Sequence, residues 1–169
     1  MSADPQTDPV IRRATGRDLP SIGRLGALIV EQHHRLDQRR FLAPWKGTPA
    51  DYASFLGTQL DHPAAIILVV EDRGDVIGYA FATVEGFDFM SLRGPAGILQ
   101  DIIVDPNYRG RGLGRMLLDA VLAELKSRGA PMVVLSTATG NETAQRLIAQ
   151  AGFRRTMIEM TRELNGDAS

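Results

Sequence analysis

The sequence predicts a single α/β (α+β) domain built on a mixed sheet, and three observations carry that prediction. Helical and strand periodicities follow one another in the order β-α-α-β-β-β-α-β-α-β, with no internal repeat, which suits a sheet covered by helices. The chain has 169 residues, enough for one domain of the usual ~100–200 residues and too few for two. A glycine-rich stretch, Arg109 to Gly114, stands between an apolar strand pattern and an amphipathic helix.

Residues 1–9 carry two Asp, two Pro and no periodicity, so they read as a mobile N-terminal tail, with 165–169 as its C-terminal counterpart. The folded unit is 10–164. Val10 to Arg13 is a short strand. Asp18-Leu19-Pro20 then announces a helix through an N-cap aspartate and an early proline, and Ile22, Leu25 and Ile29 stripe one face of it as far as about Leu36. A loop bearing Phe41, Pro44 and Trp45 leads to a second helix near Ala50 to Leu60, where Tyr52, Phe55, Leu56 and Leu60 recur at helical spacing. Ala65 to Glu71 and Val76 to Val84 flank Asp72-Arg73-Gly74-Asp75, a turn that reads as a hairpin.

After a loop from Gly86 to Gly97, Ile98 to Val104 is a buried strand interrupted by Gln100 and Asp101, two polar residues that need a reason. Leu117, Leu118, Val121, Leu122 and Leu125 mark an amphipathic helix with Gly129 just past its end. Met132 to Leu135 is another strand. Asn141 opens a last helix, with Ala144, Leu147, Ile148 and Ala151 on one face, that stops at Gly152-Phe153; the alternation from Arg155 to Arg162 predicts a final strand.

Composition removes several function classes. Basic and acidic residues number 19 and 20, for a net charge of −1, so no excess of positive charge invites nucleic acid. No cysteine is present, which removes disulfides, thiol nucleophiles and thiolate zinc sites. The histidines His33, His34 and His62 have no HExxH spacing, so no metal is expected. The start of the chain has no basic segment followed by an apolar one, and the longest apolar run, Ala64 to Val70, falls far short of the ~18 residues of a membrane span, so a cytoplasmic protein is expected.

The glycine-rich loop carries the chemistry. Glycines let a backbone turn tightly and approach a ligand, and the first N–H groups of a helix have no internal partners and lie at the positive end of its dipole, so phosphate is the natural guest. A Walker A loop needs Lys and then Ser or Thr after its last glycine, whereas Arg115 and Met116 follow Gly114. The dinucleotide pattern G-x-G-x-x-G would need glycine, not Arg115, five residues after Gly110.

Arg109-Gly110-Arg111-Gly112-Leu113-Gly114 instead resembles the Q/R-x-x-G-x-G/A motif of the GCN5-related N-acetyltransferase (GNAT) family. The similarity continues through the lead-in Leu99 to Tyr108, through Asn141-Glu142-Thr143-Ala144 and through Ala151-Gly152-Phe153. The resemblance implies an acetyl-CoA acyltransferase fold over 10–164: a twisted mixed sheet, about four flanking helices, and parallel strands near 98–104 and 132–136 that splay apart around acetyl-CoA. It places the backbone of Ile102, Ile103 and Val104 against the pantetheine arm and the Arg109 to Gly114 loop, with Arg115, around the pyrophosphate. Asn141 approaches from the other side of the split, a role compatible with simple helix capping. Arg109, Arg111 and Arg115 are open to a second reading as solvated charges.

Acetyl transfer to an amine sets three physical tasks. An amine of pKa ~10.4 must lose a proton at pH 7, which costs roughly 4–5 kcal/mol, so a base is worth having. The thiolate, of pKa ~8.5, leaves with roughly 2 kcal/mol at stake, so an acid is helpful and dispensable. An oxyanion must be stabilised, and a backbone N–H of the splayed strand would do this. In relatives a glutamate base often stands where this chain has Gln100, which cannot accept a proton, leaving Asp101 as the base candidate or as a structural carboxylate. The family's usual acid, a tyrosine, falls at Leu147-Ile148 here, so water, Tyr79 or Tyr108 would have to serve.

The resemblance puts the acceptor among the first two helices and the strand loops. Glu31, His34, Trp45 and Glu85, with Asp37, Asp88, Phe87 and Phe89, would suit a small cationic amine with an apolar body. A protein amino group is the rival acceptor, and a non-catalytic CoA-binding module is the rival function. Neither nucleic acid nor a membrane is an expected partner, and a homodimer is open.

Overall fold

The computed structural model describes residues 8–164 as one five-stranded sheet with helices on both faces. Along the chain come β1 (Val10–Arg13), α1 (Leu19–Leu36), α2 (Thr48–Gln59), β2 (Ala65–Asp72), β3 (Asp75–Glu85), β4 (Ala96–Val104), α3 (Leu113–Ser127), β5 (Val133–Leu135) and α4 (Glu142–Gln150). The strands lie in sequence order β1-β2-β3-β4-β5; neighbours up to β4 are antiparallel, and β4 and β5 are parallel. The mixed sheet is as the sequence predicts.

Both faces of β2 are buried because each is covered. Ala65, Ile67 and Val69 pack with Tyr79, Phe81 and Ile103 against Ile22, Leu25 and Leu56 of α1 and α2. Ile66, Leu68 and Val70 alternate to the other side and meet Leu117, Leu118, Val121 and Leu125 of α3. The β2–β3 turn places Arg73 and Gly74 at φ 54° and 89°, the pair of positive φ values of a two-residue hairpin whose twist matches its strands. Gly129, at φ 83°, closes α3 as the sequence predicts.

Two expectations are corrected. Asp18 stands at the N-cap of α1 but does not cap it; its carboxylate accepts from both terminal guanidinium nitrogens of Arg12 at 2.8 Å and from Thr15 N at 2.7 Å, so Arg12 and the preceding turn claim both oxygens. The predicted strand Arg155–Arg162 does not form. Residues 153–164 leave α4 without regular structure and without a strand beside them.

Candidate active site

The geometry of the site follows from one irregularity in β4. Ala82 of β3 faces Leu99 while Phe81 faces Asp101, so Gln100 is an extra residue in the ladder, a β-bulge. Unbroken alternation would put Leu99, Asp101 and Ile103 on one face. The bulge instead leaves Leu99 in the cluster beneath α3 and turns Asp101 and Ile103 toward α1 and α2. The polar pair in the apolar strand thus has its reason: Gln100 is the exposed bulge residue, and Asp101 enters a pocket.

That pocket holds about 410 Å³ between α2 and the sheet, lined by Tyr52, Phe55, Gln59, Phe81, Thr83, Gln100 and Asp101. Tyr52 Oη donates to Asp101 Oδ2 at 2.7 Å and Tyr79 Oη donates to the same oxygen at 2.9 Å. Oδ1 accepts no hydrogen bond from the described residues. Burial pushes the Asp101 carboxyl above its ordinary value, although both phenols and the nearby His33 pull the other way. Burial raises both phenols too, chiefly by removing water and then through the Asp101 charge, so they stay protonated donors. The Tyr52 ring reaches Asp101 because α1 presents Gly26, where a Cβ would lie 2.1 Å from Tyr52 Cδ1.

The opposite side of β4 opens a gap. β5 stops at Leu135, opposite Leu99, while β4 runs on to Val104 with that edge uncovered. Asp105 N donates to Ile77 O in β3, so period-two alternation turns the backbone of Ile103 toward β3 and that of Ile102 and Val104 into the gap. Below the gap, Gly110 and Gly112 adopt φ 77° and 76°, with nothing within 4 Å of where either Cβ would stand. Gly112 is the N-cap of α3, and among the described residues the amides of Gly110 to Arg115 find no acceptor. Arg24 holds Asp105 at 2.7 Å, and Arg111 reaches Asp72 at 2.9 Å, which fixes the loop at both ends. Past β5, Thr137 Oγ1 is buried without a hydrogen-bond partner.

The other sequence candidates fall in different places. Asn141 caps α4, accepting from Ala144 N at 3.3 Å. Arg115 is bound by Asp119 one turn along α3 at 2.9 Å, and among the described residues Arg109 donates a side-chain hydrogen bond to Gln32 alone, at 3.5 Å. The expected acceptor residues are not gathered around the pocket. Glu31 lies 3.7 Å from Arg35, Glu85 accepts from Arg93 at 2.8 Å, Trp45 Nε1 donates to Asp51 at 2.9 Å, and His34 Nδ1 is 3.1 Å from the Phe41 carbonyl. Near arginines claim these carboxylates, since an ion pair closed locally needs no ligand. Of the residues that line the pocket with Asp101, Tyr52 and Phe55 read in sequence as a helical stripe and Phe81 as part of a strand. The signal that could have flagged Tyr52 is Gly23 and Gly26, spaced on α1 to admit α2 closely.

Comparison with known proteins agrees with the fold. A mycothiol acetyltransferase from Thermobispora bispora is 38% identical over 102 residues, 58% of this chain and 32% of that protein. The chain therefore spans about a third of that relative's length. A mutant protein of Bacillus halodurans superposes with a TM-score of 0.80 at 23% identity, over 92% of this chain and 99% of that one. An aminoglycoside N-acetyltransferase solved in complex with CoA superposes at 0.70 and 22% identity, over 97% of this chain and 100% of the other. The family model described as acetyltransferase (GNAT) matches residues 30–153, most of the folded unit, and so the chain belongs to the GNAT acetyltransferase family.

Proposed function

We propose that the protein transfers the acetyl group of acetyl-CoA directly to a primary amine held in the pocket above Asp101, and that the acceptor is small with an apolar body. The observation that carries this reading is the half-free carboxylate: one Asp101 oxygen is saturated by two phenols, and the other is open to a pocket walled by aromatic rings. An ammonium can dock on that oxygen, and its apolar part then lies against Phe55 and Phe81, whose rings meet edge to face at 6.2 Å.

The features around the gap fit a CoA thioester, which supplies the activated acetyl group. The unclaimed amides of Gly110 to Arg115 converge at the positive end of α3, where a pyrophosphate would sit on backbone rather than on the arginine side chains. The exposed edge at Ile102 and Val104 can receive an extended amide-bearing arm as an added strand. Thr137 Oγ1 is an orphaned hydroxyl that such a ligand would satisfy. An amide of the β4 edge would meet the developing oxyanion.

Asp101 receives the amine proton in this scheme. Removing a proton from an amine of pKa ~10.4 at pH 7 costs roughly 4–5 kcal/mol, and a base whose affinity for protons is raised by burial reduces the mismatch. Tyr52 and Tyr79 orient the carboxylate. Glu31, Glu85 and Asp88 are already paired with arginines, so the pocket favours a single ammonium on an apolar frame over a polycation.

The test is a panel of amines with acetyl-CoA, read by CoA release, on the wild type and Asp101→Asn. Asparagine keeps the shape and can still accept from the tyrosines, so turnover should fall ~10²–10⁴-fold with little change in CoA affinity. CoA binding without release for any amine would instead support the non-catalytic module, a reading favoured by half-buried Ile148 at the expected acid position.

A further inference from the structure

The pocket above Asp101 is graded along its length, and its far end constrains what an acceptor carries opposite its amine. Tyr52, Phe55 and Gln59 line it from one face of α2, and Phe81 and Thr83 line it from one face of β3. Phe81 pairs with Asp101 across the ladder, so Thr83 stands two residues, about 7 Å, further along the sheet. Gln59 stands one turn, about 6 Å, beyond Phe55 on α2. Tyr52 and Tyr79 meet at Asp101, and Phe55 meets Phe81, so the next step on both elements brings Gln59 and Thr83 to the same end. A carboxylate, an aromatic belt and a pair of uncharged polar groups follow one another.

The hydrogen bonds already made at the far end decide what it can still take. Thr83 Oγ1 donates its proton to Glu85 Oε1 at 2.9 Å and keeps only lone pairs for the pocket. Thr58 Oγ1 donates to the Phe55 carbonyl at 2.7 Å, so it can only accept from Gln59 Nε2 at 3.0 Å, and Gln59 Oε1 is left unclaimed among the described residues. Both groups therefore offer an acceptor, and a neutral O–H or N–H is the matching partner. Charged ends fit worse. Arg93 donates to Glu85 Oε2 at 2.8 Å, so both oxygens of Glu85 are taken and a second ammonium finds neither free. A carboxylate would face the lone pairs of Thr83 and the charge of Glu85. Between the two ends Phe55 leaves 55% of its surface exposed, a face that a flat ring covers well.

Resting on the acceptor reading above, we propose that the substrate is an arylalkylamine with a hydroxyl at the end opposite its amine. Its ammonium docks on Asp101, its ring lies against Phe55 and Phe81, and its hydroxyl donates to Thr83 Oγ1 and Gln59 Oε1. The transfer is unaltered: the C–N bond forms as the C–S bond breaks, and of the two protons the ammonium loses, one leaves through Asp101 to solvent and the other ends on the CoA sulfur. Thr83 and Gln59 thus set specificity at a distance from the reacting atoms.

The test compares kcat/KM, read by CoA release, for tyramine, phenethylamine and 4-methoxyphenethylamine, which share one frame and carry at the far end a donor, nothing, and an acceptor alone. Tyramine should lead both others by about ten-fold, mainly through KM, because the contact is the same before and during transfer. The ratio of tyramine to phenethylamine should fall to about three-fold in Thr83→Val and in Gln59→Leu and to near one in the double variant, whereas Thr83→Ser, which keeps the oxygen, should retain it. Cadaverine and 4-carboxyphenethylamine should be poorer than phenethylamine. Equal rates for the three arylalkylamines overturn the inference and leave the Asp101 reading standing, as does a tyramine preference that persists in the double variant, or a lead for cadaverine or 4-carboxyphenethylamine. A chain that binds CoA and acetylates none of these amines overturns the reading of the pocket, and this inference with it.

Discussion

Replacing Tyr52 by Phe removes one hydroxyl and leaves the ring that packs on Gly26, so it isolates what the Tyr52 to Asp101 hydrogen bond contributes. The bond is 2.7 Å long and ends on a buried carboxylate, the charge-assisted kind, worth about 1.5–3 kcal/mol. A phenol donating to a carboxylate stabilises the ionised form and holds its proton affinity down. At about 1.4 kcal/mol per pH unit, its loss should raise the Asp101 value by about 1–2 units, Tyr79 still donating at 2.9 Å. The ionised base then appears later as pH rises. The acid limb of kcat/KM against pH, followed by CoA release, should therefore move upward by about 1–2 units in Tyr52→Phe. Stability has a sign as well: Asp101 titrates above an unfolded aspartate, so the protein loses stability as pH rises from ~3.9 through the Asp101 value, and the variant should lose more. An acid limb that stays in place, or moves down, would refute the assignment of Asp101 as the titrating base.

Two further outcomes test the loop and the fold. Gly112→Asp should abolish CoA binding in calorimetry by bringing negative charge to the unclaimed amides, whereas Gly112→Ala meets no neighbour within 4 Å and should cost only the ~1–2 kcal/mol of left-handed strain at φ 76°. Asp18→Asn should lower stability at pH 7 by about 1–3 kcal/mol, since Arg12 holds that carboxyl far below the usual range. Because the folded value lies below the unfolded ~3.9, that contribution is present above pH ~4 and lost below it, so denaturation midpoints of variant and wild type should converge in acid.

The sequence by itself determined the elements as far as α4, and the family. Helical stripes such as Leu117, Leu118, Val121 and Leu125, the turn at Arg73-Gly74 and the glycines at 110 and 112 are local signals, because periodicity and positive φ act within a few residues. The glycine-rich loop was legible for the same reason: its unclaimed donors are successive backbone amides. Asp101 could be named as a carboxylate in an apolar strand, but the neighbours that give it a role could not. Tyr52 is 49 residues away and Tyr79 is 22 away, and they meet Asp101 only when α2 crosses the sheet and the bulge at Gln100 reverses the strand's facing. One inserted residue in a ladder decides which face a side chain takes, and it leaves no mark in composition. Tertiary structure likewise decided that Glu31 and Glu85 lie beside Arg35 and Arg93, since ion pairs depend on which arginine folds close by. The alternation at Arg155 to Arg162 is a strand pattern in the sequence, yet pairing is a property of two edges, and among the described residues no strand lies beside this segment.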